Sequence, residues 1–122
     1  MNQIKEIDNL DKKMTISLDF DGVIHKYSKG FQGLHNAYDE PMEGAEESIK
    51  SLYEQGFILK ILSSRPKETI EEWLDRWNLS KYITEVTNFK FPATIYIDDR
   101  GLHFMDWNQT LQDLKKHPKL KN

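Results

Sequence analysis

With 122 residues, the chain has room for one core of a few strands and flanking helices and none for a second domain. Its 38% hydrophobic content and three Trp can fill that core, while 30% charged residues imply a heavily solvated surface. The absence of Cys excludes disulfides and thiolate chemistry, and a net charge of -3 gives no global attraction to nucleic acid, although a local basic rim is compatible with it.

Residues 1–13 are polar with Ile4, Ile7 and Leu10 at a spacing of three, and read as an N-terminal arm that orders only partly. The start, Met1-Asn2-Gln3-Ile4-Lys5-Glu6, lacks the apolar region of a signal peptide, no run approaches membrane-spanning length, and a cytoplasmic location is the default expectation. Met14 to Val23 opens as an apolar strand. Gly22 to Glu40 then makes a long segment with two Gly near its middle, several aromatics and two His; connections of that length without structure of their own are usually functional. A helix is expected from Pro41 to Gln55, with Ala45, Ile49, Leu52 and Tyr53 on one face and Gly56 as its stop. Phe57 to Leu62 is a second strand, and a helix from Pro66 puts Ile70, Trp73, Leu74 and Trp77 at i, i+3, i+4 and i+7, two Trp that belong to the core. Tyr82 to Thr87 and Ala93 to Ile97 are further strands, Leu102 to Met105 another, and Trp107 to Lys116 a last helix with Leu111 and Leu114 inward. Residues 118–122 form a basic tail, leaving 14–117 as the domain. Strands alternating with helices predict an α/β fold: a Rossmann-like three-layer sandwich around a mostly parallel sheet.

The first strand stops on Asp19-Phe20-Asp21-Gly22, two carboxylates one residue apart. They would share a face if strand geometry continued and converge if the chain turned at Gly22. Two like charges that close need a cation or a shared proton, and Mg²⁺ prefers hard oxygen ligands supplied by one or two carboxylates plus a substrate phosphate. The alternative is an edge strand ending in an Asp-Gly turn. The other strands weigh against it: the second ends in Ser63-Ser64-Arg65-Pro66, a later one in Asp98-Asp99-Arg100-Gly101, and Lys90 lies between them. In an open parallel sheet the C-terminal strand ends lie side by side, so these groups would gather at one rim.

In order and spacing, these motifs resemble the haloacid dehalogenase superfamily of phosphohydrolases, from Met14 to about Met105. Asp19 and Asp21 match its Asp-x-Asp-Gly motif, Ser63 its second, Lys90 its third, and Asp98 with Asp99 its acidic fourth. The Ser63-Ser64-Arg65 and Asp98-Asp99-Arg100 elements are similar to small capless phage and bacterial members and, more distantly, to polynucleotide 3′-phosphatase domains. One departure is Lys90-Phe91-Pro92, where the family often has Lys-Pro. The resemblance implies a nucleophile at Asp19 that forms an aspartyl-phosphate, and a general acid/base at Asp21. It further implies Mg²⁺ held by Asp19, Asp98, Asp99 and the main-chain carbonyl of Asp21, and phosphate binding by Ser63 and Lys90, with Ser64 and Arg65 beside them. It also places a short helical turn and a hairpin flap in the Gly22 to Glu40 segment.

Each assignment has a plainer counterpart. Ser63 can cap the helix near Pro66, a role compatible with phosphate binding at the same helix end. Lys90 can be a surface lysine, and Arg65 and Arg100 can pair with a nearby Asp or Glu instead of a second substrate anion. His25 and His35 can touch substrate from the loop, but lack the company of a transition-metal site. The expected function is a Mg²⁺-dependent phosphomonoesterase; the alternative is a catalytically weak protein that binds Mg²⁺ and phosphate for regulation. A phosphorylation-receiving signalling domain is disfavoured because its motifs run in another order. Without room for a large cap the site should be open, suiting a small metabolite, a nucleotide or a nucleic-acid end, or borrowing a wall from a second copy.

Overall fold

The computed structural model describes residues 14–89, 91–98 and 102–117. The expected arm at 1–13 and tail at 118–122 lie outside them, as do Lys90, Asp99 and Arg100. Among the described residues, five strands form one sheet: β1 Thr15–Leu18, β2 Ile58–Leu62, β3 Glu85–Thr87, β4 Ile95–Asp98 and β5 Leu102–His103. Their order is β3-β2-β1-β4-β5 and every pairing is parallel. Three helices accompany it: α1 Ala45–Glu54, α2 Lys67–Arg76 and α3 Trp107–Lys116, with a 3-10 turn at Ser80–Tyr82. This is the α/β, Rossmann-like architecture expected.

The central strand carries the reason. Ile16, Ser17 and Leu18 are all buried, as a strand covered on both faces requires, and Ile61 and Ile97 flank Leu18 in register. Because β2 and β4 lie on opposite sides of β1, the strand order reverses there, and the crevice beyond β1 is the topological switch point where open α/β sheets bind ligands.

The helices follow their apolar periodicity with adjustments at the ends. Helix α1 starts at Ala45, because Gly44 occupies a left-handed conformation (φ 84°) that a side chain would strain. A Cβ there would also come within 3.2 Å of Trp107 Cβ. Ala45, Ile49 and Leu52 are buried, but Tyr53 turns outward, 48% exposed, with its ring edge on Tyr82. Helix α2 buries Ile70, Trp73 and Leu74, and Trp77 closes it half-buried. Helix α3 begins with Asp106 as N-cap, its side chain accepting from Gln109 N–H, and directs Leu114 fully and Leu111 partly inward. The strand expected over Tyr82 to Thr87 opens instead as the 3-10 turn and begins only at Glu85.

Candidate active site

Strand β1 ends at Leu18, so Asp19 and Asp21 are not strand residues sharing a face. The main chain instead makes a helical turn in which the N–H groups of Val23, Ile24 and His25 all reach the Phe20 carbonyl (3.2, 2.9 and 2.9 Å). Gly22 permits that turn at φ 81°, and its N–H returns to the His25 carbonyl at 2.8 Å. Asp19 stays beside β4, its N–H donating to the Ile97 carbonyl at 3.3 Å, while its Oδ1 accepts the Phe20 N–H at 2.8 Å. Since Ile97 is followed by Asp98 at the end of β4, the Asp19 backbone and the first residue of the acidic pair are neighbours across the switch point.

Ser63 reaches the same edge from β2, its N–H bonded to the Thr87 carbonyl at 3.1 Å. Its hydroxyl does not cap α2, whose N-cap is Pro66 with no side-chain bond; Ser63 Oγ accepts the Arg65 N–H at 3.1 Å. The tight Ser63-Ser64-Arg65 turn is held from the next strand end by Asn88, whose Nδ2 donates to the carbonyls of Ser63 (2.6 Å) and Arg65 (2.9 Å). Ser64 is exposed on that turn.

Arg65 turns toward Asp21 and the loop that follows it. Its guanidinium is buried, and its Nε–H is shared between both Asp21 oxygens at 3.0 Å each, while Nη1 donates to the carbonyls of Gly33 and Leu34, each at 2.9 Å. The plainer reading, an ion pair with a nearby carboxylate, is the arrangement found. His25 is likewise not a loop residue facing substrate. It is fully buried, stacked on Phe20 (centroids 5.1 Å apart), with Tyr38 and Trp73 at its edges. Its Nε2 accepts the Asp39 N–H at 3.0 Å, so the ring proton sits on Nδ1 and is donated to Asp21 Oδ1 at 2.8 Å. His35 is exposed on the loop.

Burial alone would raise the Asp21 pKa; the hydrogen bonds from His25 and Arg65, with the Arg65 charge, outweigh it and hold the carboxyl below its ordinary value. Asp39 at the far end of the loop is depressed to about 2, chiefly by the hydroxyl and then the backbone N–H of Ser28.

Between these points the segment after Gly22 forms the expected flap. Lys26 N–H bonds the Glu40 carbonyl and Met42 N–H the Ile24 carbonyl, closing a short antiparallel neck. The loop inside the neck is pinned by Tyr38, whose hydroxyl accepts from Lys29 N–H and donates to the Gly30 carbonyl (2.8 Å each), and by Trp73 Nε1 on the Asp39 carbonyl at 2.8 Å. Sequence reasoning placed Trp73 in the core but missed this bond; an indole on an otherwise apolar helix face is the available signal, since its N–H must find an acceptor.

The donor set suits Mg²⁺ in kind: carboxylate oxygen from Asp19 and, one strand over, the end of β4 with its acidic pair. Among the described residues no group of three or more His, Asp or Glu side chains converges as a metal cage. No helix among the described residues is long and apolar enough to cross a membrane.

Residues 4–90 match the family model described as haloacid dehalogenase-like hydrolase. Over 77 residues the chain is 33% identical to pyrophosphatase PpaX of Halalkalibacterium halodurans, an alignment covering 63% of this chain and 32% of that protein, so the chain spans about a third of this relative's length. Its fold is similar to the structure of a conserved protein from Bacteroides thetaiotaomicron, with a TM-score of 0.62 and 26% identity, covering 86% of this chain and 92% of the other. With the Asp19 turn at the switch point of a parallel sheet and a family match over more than half its length, the chain belongs to the haloacid dehalogenase-like hydrolases.

Proposed function

We propose that the protein is a Mg²⁺-dependent phosphomonoesterase that forms an aspartyl-phosphate on Asp19. The observation that carries this reading is the seat of Asp19 beyond β1, bonded through its N–H to Ile97 and so beside the end of β4. A phosphate monoester repels an attacking carboxylate, and a cation shared by Asp19 and the Asp98-Asp99 pair would supply charge neutralisation there. Asp19 attacks phosphorus as the ester bond breaks, and water then releases phosphate from the acyl-phosphate. Ser63 offers its hydroxyl proton to a phosphoryl oxygen, free to do so because its contact with Arg65 uses only a lone pair. Lys90 is assigned to the same phosphoryl charge, and Asp21 to the leaving oxygen and then to the attacking water.

One observation favours a second reading, a catalytically weak Mg²⁺ and phosphate binder. Both Asp21 oxygens already accept the Arg65 Nε–H, and one also accepts from His25, so the acid/base candidate is engaged within the protein. Turnover at high enzyme concentration separates the readings. The panel is sugar phosphates, nucleotides, a 3′-phosphorylated oligonucleotide and, because PpaX is named a pyrophosphatase, inorganic pyrophosphate, each with Mg²⁺ and with EDTA. Mg²⁺-dependent phosphate release with multiple turnovers supports the enzyme; saturable binding of phosphate with no turnover supports the binder.

A further inference from the structure

Asp21 is joined to the flap at two separate points. Through Arg65 it reaches the main chain at Gly33 and Leu34, near the loop tip, and through His25 it reaches Asp39, where the loop rejoins the neck. Neither link touches solvent: Arg65 is 1% exposed and His25 fully buried, whereas the Asp21 side chain is 26% exposed and is the one group of the three that is partly open. We infer that Arg65 is a positioning residue that seats the flap and orients Asp21 in one linked arrangement, so that the loop cannot leave its seat without freeing the Asp21 carboxylate.

The cost of the arrangement argues that it serves more than stability. A buried guanidinium is expensive unless fully satisfied, and among the described residues Arg65 Nη2 is buried with no hydrogen-bond partner. Tyr27, whose ring lies 5.9 Å from the guanidinium carbon and 5.8 Å from the His25 ring, is held at φ 60°, a left-handed conformation that residues with a Cβ rarely adopt. A hydrophobic residue at 65 would fill the same space without an orphaned donor, but would have no hold on either the carboxylate or the loop carbonyls. Fixing the direction of a group that must meet a leaving oxygen is the return on that cost, since small misplacements of catalytic groups are felt strongly in rate.

The catalytic half of the test rests on the phosphatase reading; the structural half does not. In the structural half, amide hydrogen exchange is followed at Lys29, Asn36 and Asp39 in wild type, Arg65→Lys and Asp21→Asn. A Lys cannot span both sets of acceptors, so both variants should raise exchange at these loop amides about tenfold or more while amides in α2 stay unchanged. In the catalytic half, turnover of an alkyl phosphate and of an aryl phosphate with an acidic phenol is compared. Arg65→Lys should lose about tenfold or more on the alkyl ester and little on the aryl ester, and should add no further loss in an Asp21→Asn background. Tyr38→Phe, which loosens the loop from its other side while leaving Arg65 in place, should show the same selectivity for the poor leaving group, and keeps the test open if Arg65→Lys does not fold. Unchanged loop exchange in both Arg65→Lys and Asp21→Asn overturns the link. Loss equal on both esters, or persisting in the Asp21→Asn background, overturns the positioning role. If wild type turns over nothing on the panel, the phosphatase reading fails and the exchange result alone decides whether the link exists.

Discussion

The indole Nε1–H of Trp107 donates to the carbonyl of Val23 at 3.0 Å, across 84 positions of sequence, with both residues buried. It fastens the first residue of α3 to the helical turn that presents Asp21. The same Trp107 side chain would crowd a Cβ at residue 44, so the start of α1, the start of α3 and the turn after β1 meet at one side chain. Trp107→Phe keeps most of the packing and strands the Val23 carbonyl, so it should lower unfolding stability by about 1–3 kcal/mol. Chemical denaturation measures this, and a loss below a few tenths would show that water or backbone relaxation satisfies Val23 instead.

Asp19→Asn should fold as wild type and lose Mg²⁺-dependent turnover by about three orders of magnitude or more, the scale on which loss of a covalent nucleophile acts. The side chain keeps an acceptor for the Phe20 N–H, so far-UV dichroism and the melting temperature should change little. Undiminished turnover in a folded Asp19→Asn protein would sink its assignment as nucleophile.

For the metal, Asp98→Ala or Asp99→Ala should weaken Mg²⁺ binding, and at least one should raise the melting temperature of the metal-free protein. The reason is electrostatic: in the proposed site the two carboxylates would repel Asp19 when no cation is present, and a ligand that binds only the folded state stabilises by mass action. Calorimetric Mg²⁺ titration with melting curves in EDTA checks both halves. Binding and melting identical to wild type in both variants would remove the pair from the metal site.

The depressed Asp39 carboxyl gives a pH prediction. Its folded pKa of about 2 lies below the unfolded value near 4, so the stability it lends the loop is fully present above about pH 4 and is lost as pH falls toward 2. Ser28→Ala removes the hydroxyl donor and keeps the backbone N–H bond, so the Asp39 midpoint should rise only part of the way toward its ordinary value. Carboxyl carbon NMR titration reads it directly, and an unshifted midpoint would mean that the backbone donor alone holds the charge.

Legibility in the sequence divides by the range of the interaction. The strands, the three helices and the gathering of Asp19, Ser63 and Asp98 at one sheet edge follow from local periodicity, Gly and Pro signals and the rule for parallel sheet ends. What was illegible is side-chain partnership at long separation. Arg65 and Asp21 are 44 positions apart, and nothing in either segment says whether a guanidinium beside a phosphate motif turns toward substrate or toward a carboxylate. The burial of His25 is illegible for a related reason: a His in a polar loop reads as exposed, and only the assembled Phe20, Tyr38 and Trp73 rings bury it. Tyr53 fell on the apolar helical face by count alone, yet an aromatic with a hydroxyl lies as readily on the margin, where it meets Tyr82.

Asp21→Asn separates the two carboxylates of the first motif. The amide matches the carboxylate in size and retains one acceptor for the Arg65 Nε–H, yet it has no charge to offset a buried guanidinium, so the variant should be less stable than wild type even without metal. Chemically it cannot donate and then accept a proton, and both formation and hydrolysis of the aspartyl-phosphate should slow by about 10²–10⁴-fold on an unactivated ester. An activated ester needs little help from an acid, so phosphorylation of Asp19 should outlast hydrolysis, and a covalent adduct should accumulate. Mass spectrometry of acid-quenched Asp21→Asn protein should find a phosphate on Asp19 that wild type does not retain. Wild-type turnover of an alkyl phosphate by this variant would instead free Asp21 from proton transfer, and leave its bonds to Arg65 and His25 as a device for holding the flap alone.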